Sequence, residues 1–83
     1  MFEVTIYTTQ TCGYCRAAKE FMSSHNVQFS EIDVGADREK AREMIEKSGQ
    51  MGVPVMIVKD DNTESIIVGF DQNRMAATLG IAT

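Results

Sequence analysis

Thr11-Cys12-Gly13-Tyr14-Cys15-Arg16 carries both cysteines of an 83-residue chain, two residues apart, at the junction of two segments with different periods. Upstream, Phe2, Val4 and Ile6 alternate with Glu3, Thr5 and Tyr7, the period of a strand over residues 2–7. Downstream, Ala18, Phe21, Met22 and His25 recur at i, i+3, i+4 and i+7, the stripe of a helix from about Gly13 to His25. A thiol at such a junction sits among free backbone N–H groups at the positive end of the helix dipole, which favours thiolate and hence nucleophilicity. His25 closes the apolar stripe and is given no chemistry.

Working outward, Val27 to Val34 reads as a second strand, and Gly35-Ala36-Asp37 as a turn ending in an Asp that can cap a helix. A second helix follows from about Asp37 to Ser48, with Ala41, Met44 and Ile45 inward, Glu39–Arg42 and Glu43–Lys47 paired outside, and Gly49 as its stop. Pro54 to Lys59 is nearly all apolar, as expected of a central strand buried on both faces. Asp60 to Thr63 is a turn, Ser65 to Val68 a hairpin strand, and Asp71 the N-cap of a last helix to Leu79 that buries Met75, Ala76 and Leu79. The order β-α-β-α-β-β-α makes the first two strands parallel and the last two antiparallel, an α/β fold with a four-stranded mixed sheet and helices on both faces. The cysteines then lie at the carboxyl end of the first strand, where open α/β sheets place their ligands.

Composition narrows the function. The length fits a single domain over residues 1–83, and 43% hydrophobic and 24% charged residues are those of an ordinary globular chain. A net charge of −4 without a basic stripe argues against nucleic acid. The N-terminus lacks the pattern of a secretory signal and no apolar run reaches membrane-spanning length, so a cytoplasmic address and no membrane partner are expected. In a reducing compartment a CxxC pair reads as redox chemistry or metal binding; two Cys and one His are too few for a four-cysteine zinc site. At i and i+3 on a helix the two sulfurs can join without unfolding the chain. Cys12 is the expected attacking thiolate and Cys15 the thiol that resolves the mixed disulfide. Arg16 can add a positive field, or can be a plain solvated side chain.

The order of elements, Cys12-Gly13-Tyr14-Cys15 at the first junction, Val53-Pro54 before the third strand and Gly69-Phe70-Asp71 after the fourth together resemble a glutaredoxin of the thioredoxin superfamily. The run Ser48 to Val55 is similar to the YruB-type proteins, relatives of the NrdH redoxins. The resemblance implies the thioredoxin fold, and a redox-active Cys12–Cys15 disulfide in an enzyme that reduces protein or glutathione mixed disulfides. It also implies a cis Val53–Pro54 bond facing the cysteines, and substrate contacts from Tyr14, Val53, Pro54, Gly69, Phe70 and Asp71. Asp71 can receive a glutathione amino group or simply cap its helix. Gly13 stands where the family usually has proline, and Thr9 or Gln10 and Gly52 where it often has a basic residue and a Thr. Tyr7 can pack beside the thiols or face the sheet. No tightly bound cofactor is implied; the expected partners are disulfide-bearing proteins or glutathione, and a glutathione- or thioredoxin-type reductase, for a monomer. The alternative from another class is an iron-sulfur protein, with the first Cys of each of two subunits as ligand.

Overall fold

The computed structural model describes residues 3–81. Strand β1 (Glu3–Thr8) leads into helix α1 (Gly13–Ser24), followed by β2 (Ser30–Asp33), α2 (Arg38–Ser48), β3 (Val55–Lys59), β4 (Glu64–Val68) and α3 (Gln72–Leu79). The four strands form one sheet in the order β2-β1-β3-β4, β1 parallel to β2 and antiparallel to β3, and β3 antiparallel to β4. This is the mixed sheet expected from the order of elements, in the thioredoxin topology that the resemblance implies. Phe2, assigned to the first strand, lies outside the described residues.

The sheet is covered on both faces because the central strand β3 is apolar on both, and its neighbour β1 adds Val4 and Ile6 to one face and Tyr7 to the other. Val4 and Ile6 of β1, Met56 and Val58 of β3 and Ile67 of β4 pack with Ala18, Phe21 and Met22 of α1 and Met75, Ala76 and Leu79 of α3. On the other face Tyr7, Val55 and Ile57 meet Val34 and Met44, with Ala41 of α2 packed against them. Tyr7 is thus 1% exposed under α2, its hydroxyl donating to Glu43 Oε1 at 3.1 Å, rather than beside the thiols.

Caps fix the helix ends. Asp37 and Asp71 are extended and accept from Lys40 N and Arg74 N, each at 3.1 Å; Gly49 ends α2 in the left-handed region at φ 72°. The second strand is shorter than Val27–Val34, and the cause is the end of α1. Asn26 adopts φ 59°, Asn26 N donates to Ser23 O and Val27 N to Met22 O, a Schellman closure that takes up the backbone of Val27 before pairing begins at Thr5–Ser30. On α2, Ile45 is exposed rather than inward. Glu43 pairs with Lys40 as well as Tyr7, and Lys47 reaches Glu64 of β4, in place of the expected Glu43–Lys47 pair.

Candidate active site

The loop from Thr8 to Cys12 ends in a turn in which Cys12 N donates to Thr9 O at 3.4 Å. Cys12 itself is the N-cap of α1, extended at φ −88° and ψ 110°, and its Sγ accepts the N–H of Cys15 at 3.1 Å. That is the place and the bond of a Ser or Asp cap, made by sulfur. The same Sγ donates to the carbonyl of Val53 at 3.8 Å. Both cysteines are free thiols, Cys12 partly exposed and Cys15 buried at 1% exposure. Burial pushes the Cys15 thiol up to about 12, with its hydrogen bond to Cys12 adding to the rise; a backbone bond from Thr9 and the charge of Lys19 oppose it.

The Val53–Pro54 bond is cis, Pro54 is buried, and Pro54 O accepts from Gly69 N at 2.9 Å. Gly69 stands at φ 78°, where a side chain would be strained, so this crossing from β4 to α3 uses a glycine for its backbone angle. Phe70 is half-buried against the α1 and α3 core, and Asp71 is exposed with one carboxylate oxygen used as the α3 cap. Tyr14 is 70% exposed and Met51, two residues before Val53, 83%. Of the residues read from the sequence, Cys12, Cys15 and Val53 are joined by hydrogen bonds, and Pro54 is joined to Gly69. Among the described residues no hydrogen bond or ring contact ties Tyr14, Phe70 or Asp71 to the thiols.

A polar cluster beside the pair was not foreseen. Thr8 is the single buried polar residue among the described ones, on the same face as Val4 and Ile6, and its hydroxyl donates to Glu31 Oε2 at 2.8 Å. Lys19 Nζ meets the same oxygen at 2.8 Å. These bonds, from Lys19 first and then Thr8, hold the Glu31 carboxyl below the usual range. The signal in the sequence is a hydroxyl at an inward strand position; its partner is not readable, since β2 and α1 meet there only in the fold. Among the described residues no group of three or more His, Cys, Asp or Glu is placed to hold a metal, which lends the iron-sulfur alternative no support. No helix among them is long and apolar enough to cross a membrane.

Residues 4–62 match the family model described as Glutaredoxin. Over 69 residues the chain is 41% identical to a glutaredoxin-like 8.6 kDa protein in a rubredoxin operon of Clostridium pasteurianum, covering 83% of this chain and 87% of that one. It is also 41% identical over 58 residues to glutaredoxin 3 of Escherichia coli K12, 70% of each chain. Among solved structures, the glutaredoxin-like NrdH-redoxin of Escherichia coli superposes with a TM-score of 0.77 at 30% identity, covering 98% of this chain and 99% of that one.

Proposed function

This chain belongs to the glutaredoxin family, and from that premise we propose that it is a thiol-disulfide oxidoreductase, a dithiol electron carrier that reduces protein or glutathione mixed disulfides. Cys12 thiolate attacks one sulfur of the substrate disulfide; that S–S bond breaks, a mixed disulfide forms on Cys12, and the other half leaves as thiolate and takes a proton. Cys15 then loses its proton and attacks Cys12 Sγ, forming the Cys12–Cys15 disulfide and releasing the second half, so the protein gives up two electrons. A reductase restores the dithiol.

The observation that carries this reading is the hydrogen bond from Cys15 N to Cys12 Sγ. It offers the attacking sulfur a backbone donor at a helix N-terminus and sets the second cysteine one turn behind it. The buried Cys15, with its thiol pushed up, is suited to wait until the mixed disulfide lies against it. Val53, whose carbonyl lies at Cys12 Sγ, and Pro54 line the substrate path, with Tyr14, Gly69, Phe70 and Asp71 as further contacts.

Within the family we place the protein with the YruB-type members, on the run Ser48 to Val55, as a single-domain cytoplasmic monomer that takes neither nucleic acid nor a membrane as partner. The NrdH-redoxin of Escherichia coli is described as glutaredoxin-like with a thioredoxin-like activity profile. That description, with the absence of a basic residue at Thr9 or Gln10, supports a thioredoxin-type reductase over glutathione as electron donor. The test is NADPH oxidation with a disulfide substrate, run in parallel with glutathione plus glutathione reductase and with thioredoxin reductase. Turnover in the thioredoxin reductase arm that Cys12→Ser abolishes is expected; no turnover in either arm refutes the function.

A further inference from the structure

The order β2-β1-β3-β4 puts Val53-Pro54 on one side of Cys12, ahead of β3, and leaves the β2 side open. There the structure holds a groove of about 250 Å³ lined by Cys12, Thr9, Arg16, Lys19, Glu31 and Asp33, among others. Its two walls differ in sign: the cations come from α1 and the carboxylates from β2.

The internal bonds leave part of this charge unspent. Lys19 and Thr8 both use Glu31 Oε2, and Glu31 Oε1 takes no hydrogen bond among the described residues. Asp33 Oδ1 accepts Gly35 N at 2.9 Å, while its Oδ2 takes none. Arg16 is exposed, and its guanidinium makes no hydrogen bond or ion pair among the described residues. A free guanidinium can hold a carboxylate through two parallel bonds, and free carboxylate oxygens suit an ammonium group. The volume is below the ~300–1,000 Å³ of pockets that enclose drug-sized ligands. It suits a group the size of one amino acid.

We infer that this groove is a subsite for one half of a small zwitterionic disulfide of the cystine type, its carboxylate on Arg16 and its ammonium on Asp33 and Glu31. The inference rests on the thiol-disulfide function proposed above and names a substrate class for it. Cys12 thiolate attacks one sulfur of cystine, the cystine S–S bond breaks, and a Cys12–S–cysteine mixed disulfide forms. One cysteine departs as thiolate and is protonated by water. Attack by Cys15, losing its proton, releases the second, so cystine gains the two electrons that the dithiol loses.

The fully reduced protein is mixed separately with cystine, with cystamine, which lacks the carboxylates, and with 3,3′-dithiodipropionate, which lacks the amines. Samples at one ionic strength are quenched by alkylation and read by mass spectrometry. Each rate is divided by the rate of the same disulfide with 2-mercaptoethanol, which removes its intrinsic reactivity. Wild type is expected to prefer cystine by about tenfold over either analogue, a modest yield for charge-assisted bonds at a partly open site. Arg16→Gln lowers the cystine-to-cystamine ratio toward one. Asp33→Asn, which keeps an oxygen for Gly35 N, lowers the cystine-to-dithiodipropionate ratio instead. Equal normalised rates in wild type, or variants that move all three disulfides together, overturn the subsite and leave the thiol chemistry standing. No reaction with any of the three overturns the subsite, and the thiol function falls with it only if neither arm of the NADPH assay turns over.

Discussion

The thiol of Cys15 is a poor acid because ionising it would place a charge in the core under α1, and its raised value of about 12 against an ordinary 9.0 carries a consequence for stability. Between those two values the unfolded chain has released a proton that the native protein keeps. Stability is therefore fully present below pH 9 and falls as pH rises toward 12, by up to ~1.4 kcal/mol per pH unit for this group. Tyr7, raised from 10.0 to about 12 by burial and by its bond to Glu43, acts with the same sign but starts later. Urea unfolding of the reduced protein between pH 7 and 10.5 is expected to show a decline that begins near 9 in wild type and near 10 in Cys15→Ser. Equal pH slopes for the two would contradict the buried thiol. The spacing of the two cysteines was legible in the sequence, and so was their place at the junction of β1 and α1. The capping role of Cys12 was not, because sulfur is an uncommon cap and nothing in its neighbours marks it as one.

At the scale of elements, the first turn of α1 leaves open space at Gly13. Gly13 is the first helical residue after the Cys12 cap, a Cβ there would meet nothing within 4 Å, and the extended Cys12 suits a following proline. Gly13→Pro should thus stabilise the protein by about 0.4–1 kcal/mol through the entropy of the unfolded chain, seen as a rise of a few degrees in Tm. A fall in Tm would mean that the Gly13 N–H is needed. The Thr8–Glu31–Lys19 cluster ties β1, β2 and α1 together, and its pH dependence has the opposite sense to that of Cys15. Glu31 is held below its ordinary 4.5, so the native state gains from it above that pH and loses the gain as pH falls through the lowered value. Glu31→Gln should flatten the loss of stability below about pH 4.5, measured by denaturation at pH 3 to 6. Most elements were readable because their ends carry explicit chemistry: Asp37, Asp71 and Gly49 cap where the sequence says they should. The start of β2 was not, since Val27 and Phe29 have strand-like side chains while the preceding Asn26 turns the backbone. Asn at that position is compatible with a left-handed closure, but the strand-like residues that follow outweigh this weak signal.

For the whole molecule the decisive fact is that one small sheet must carry two cores of unequal size. Eleven buried residues form the core shared by α1 and α3, and five the core under α2. The apolar run Pro54 to Lys59 announced the two-sided strand β3, but β1 looked one-sided because Glu3, Thr5 and Tyr7 alternate with its aliphatics. Only the central place of β1 between β2 and β3 explains why Tyr7 is buried too. The site depends chiefly on the larger core, since Cys12 and Cys15 ride on α1. A chain of this length has a total stability of about 4–12 kcal/mol, so one large cavity can consume much of it. Ile6, fully buried beneath α1, should cost about 3–5 kcal/mol when changed to Ala, within the range for such truncations. Met44→Ala, in the smaller core, should cost about 2–3 kcal/mol, because a flexible side chain leaves a gap that fewer and less enclosed neighbours can close. With a urea slope of ~1 kcal/mol/M, the midpoint of Ile6→Ala should drop by about 3 M or more and that of Met44→Ala by about 2–3 M. The reactivity of Cys12 toward a disulfide, assayed without denaturant on whatever fraction remains folded, should fall in Ile6→Ala and stay near wild type in Met44→Ala. The reverse order would mean that the α2 layer, not the α1 layer, holds the thiols in place.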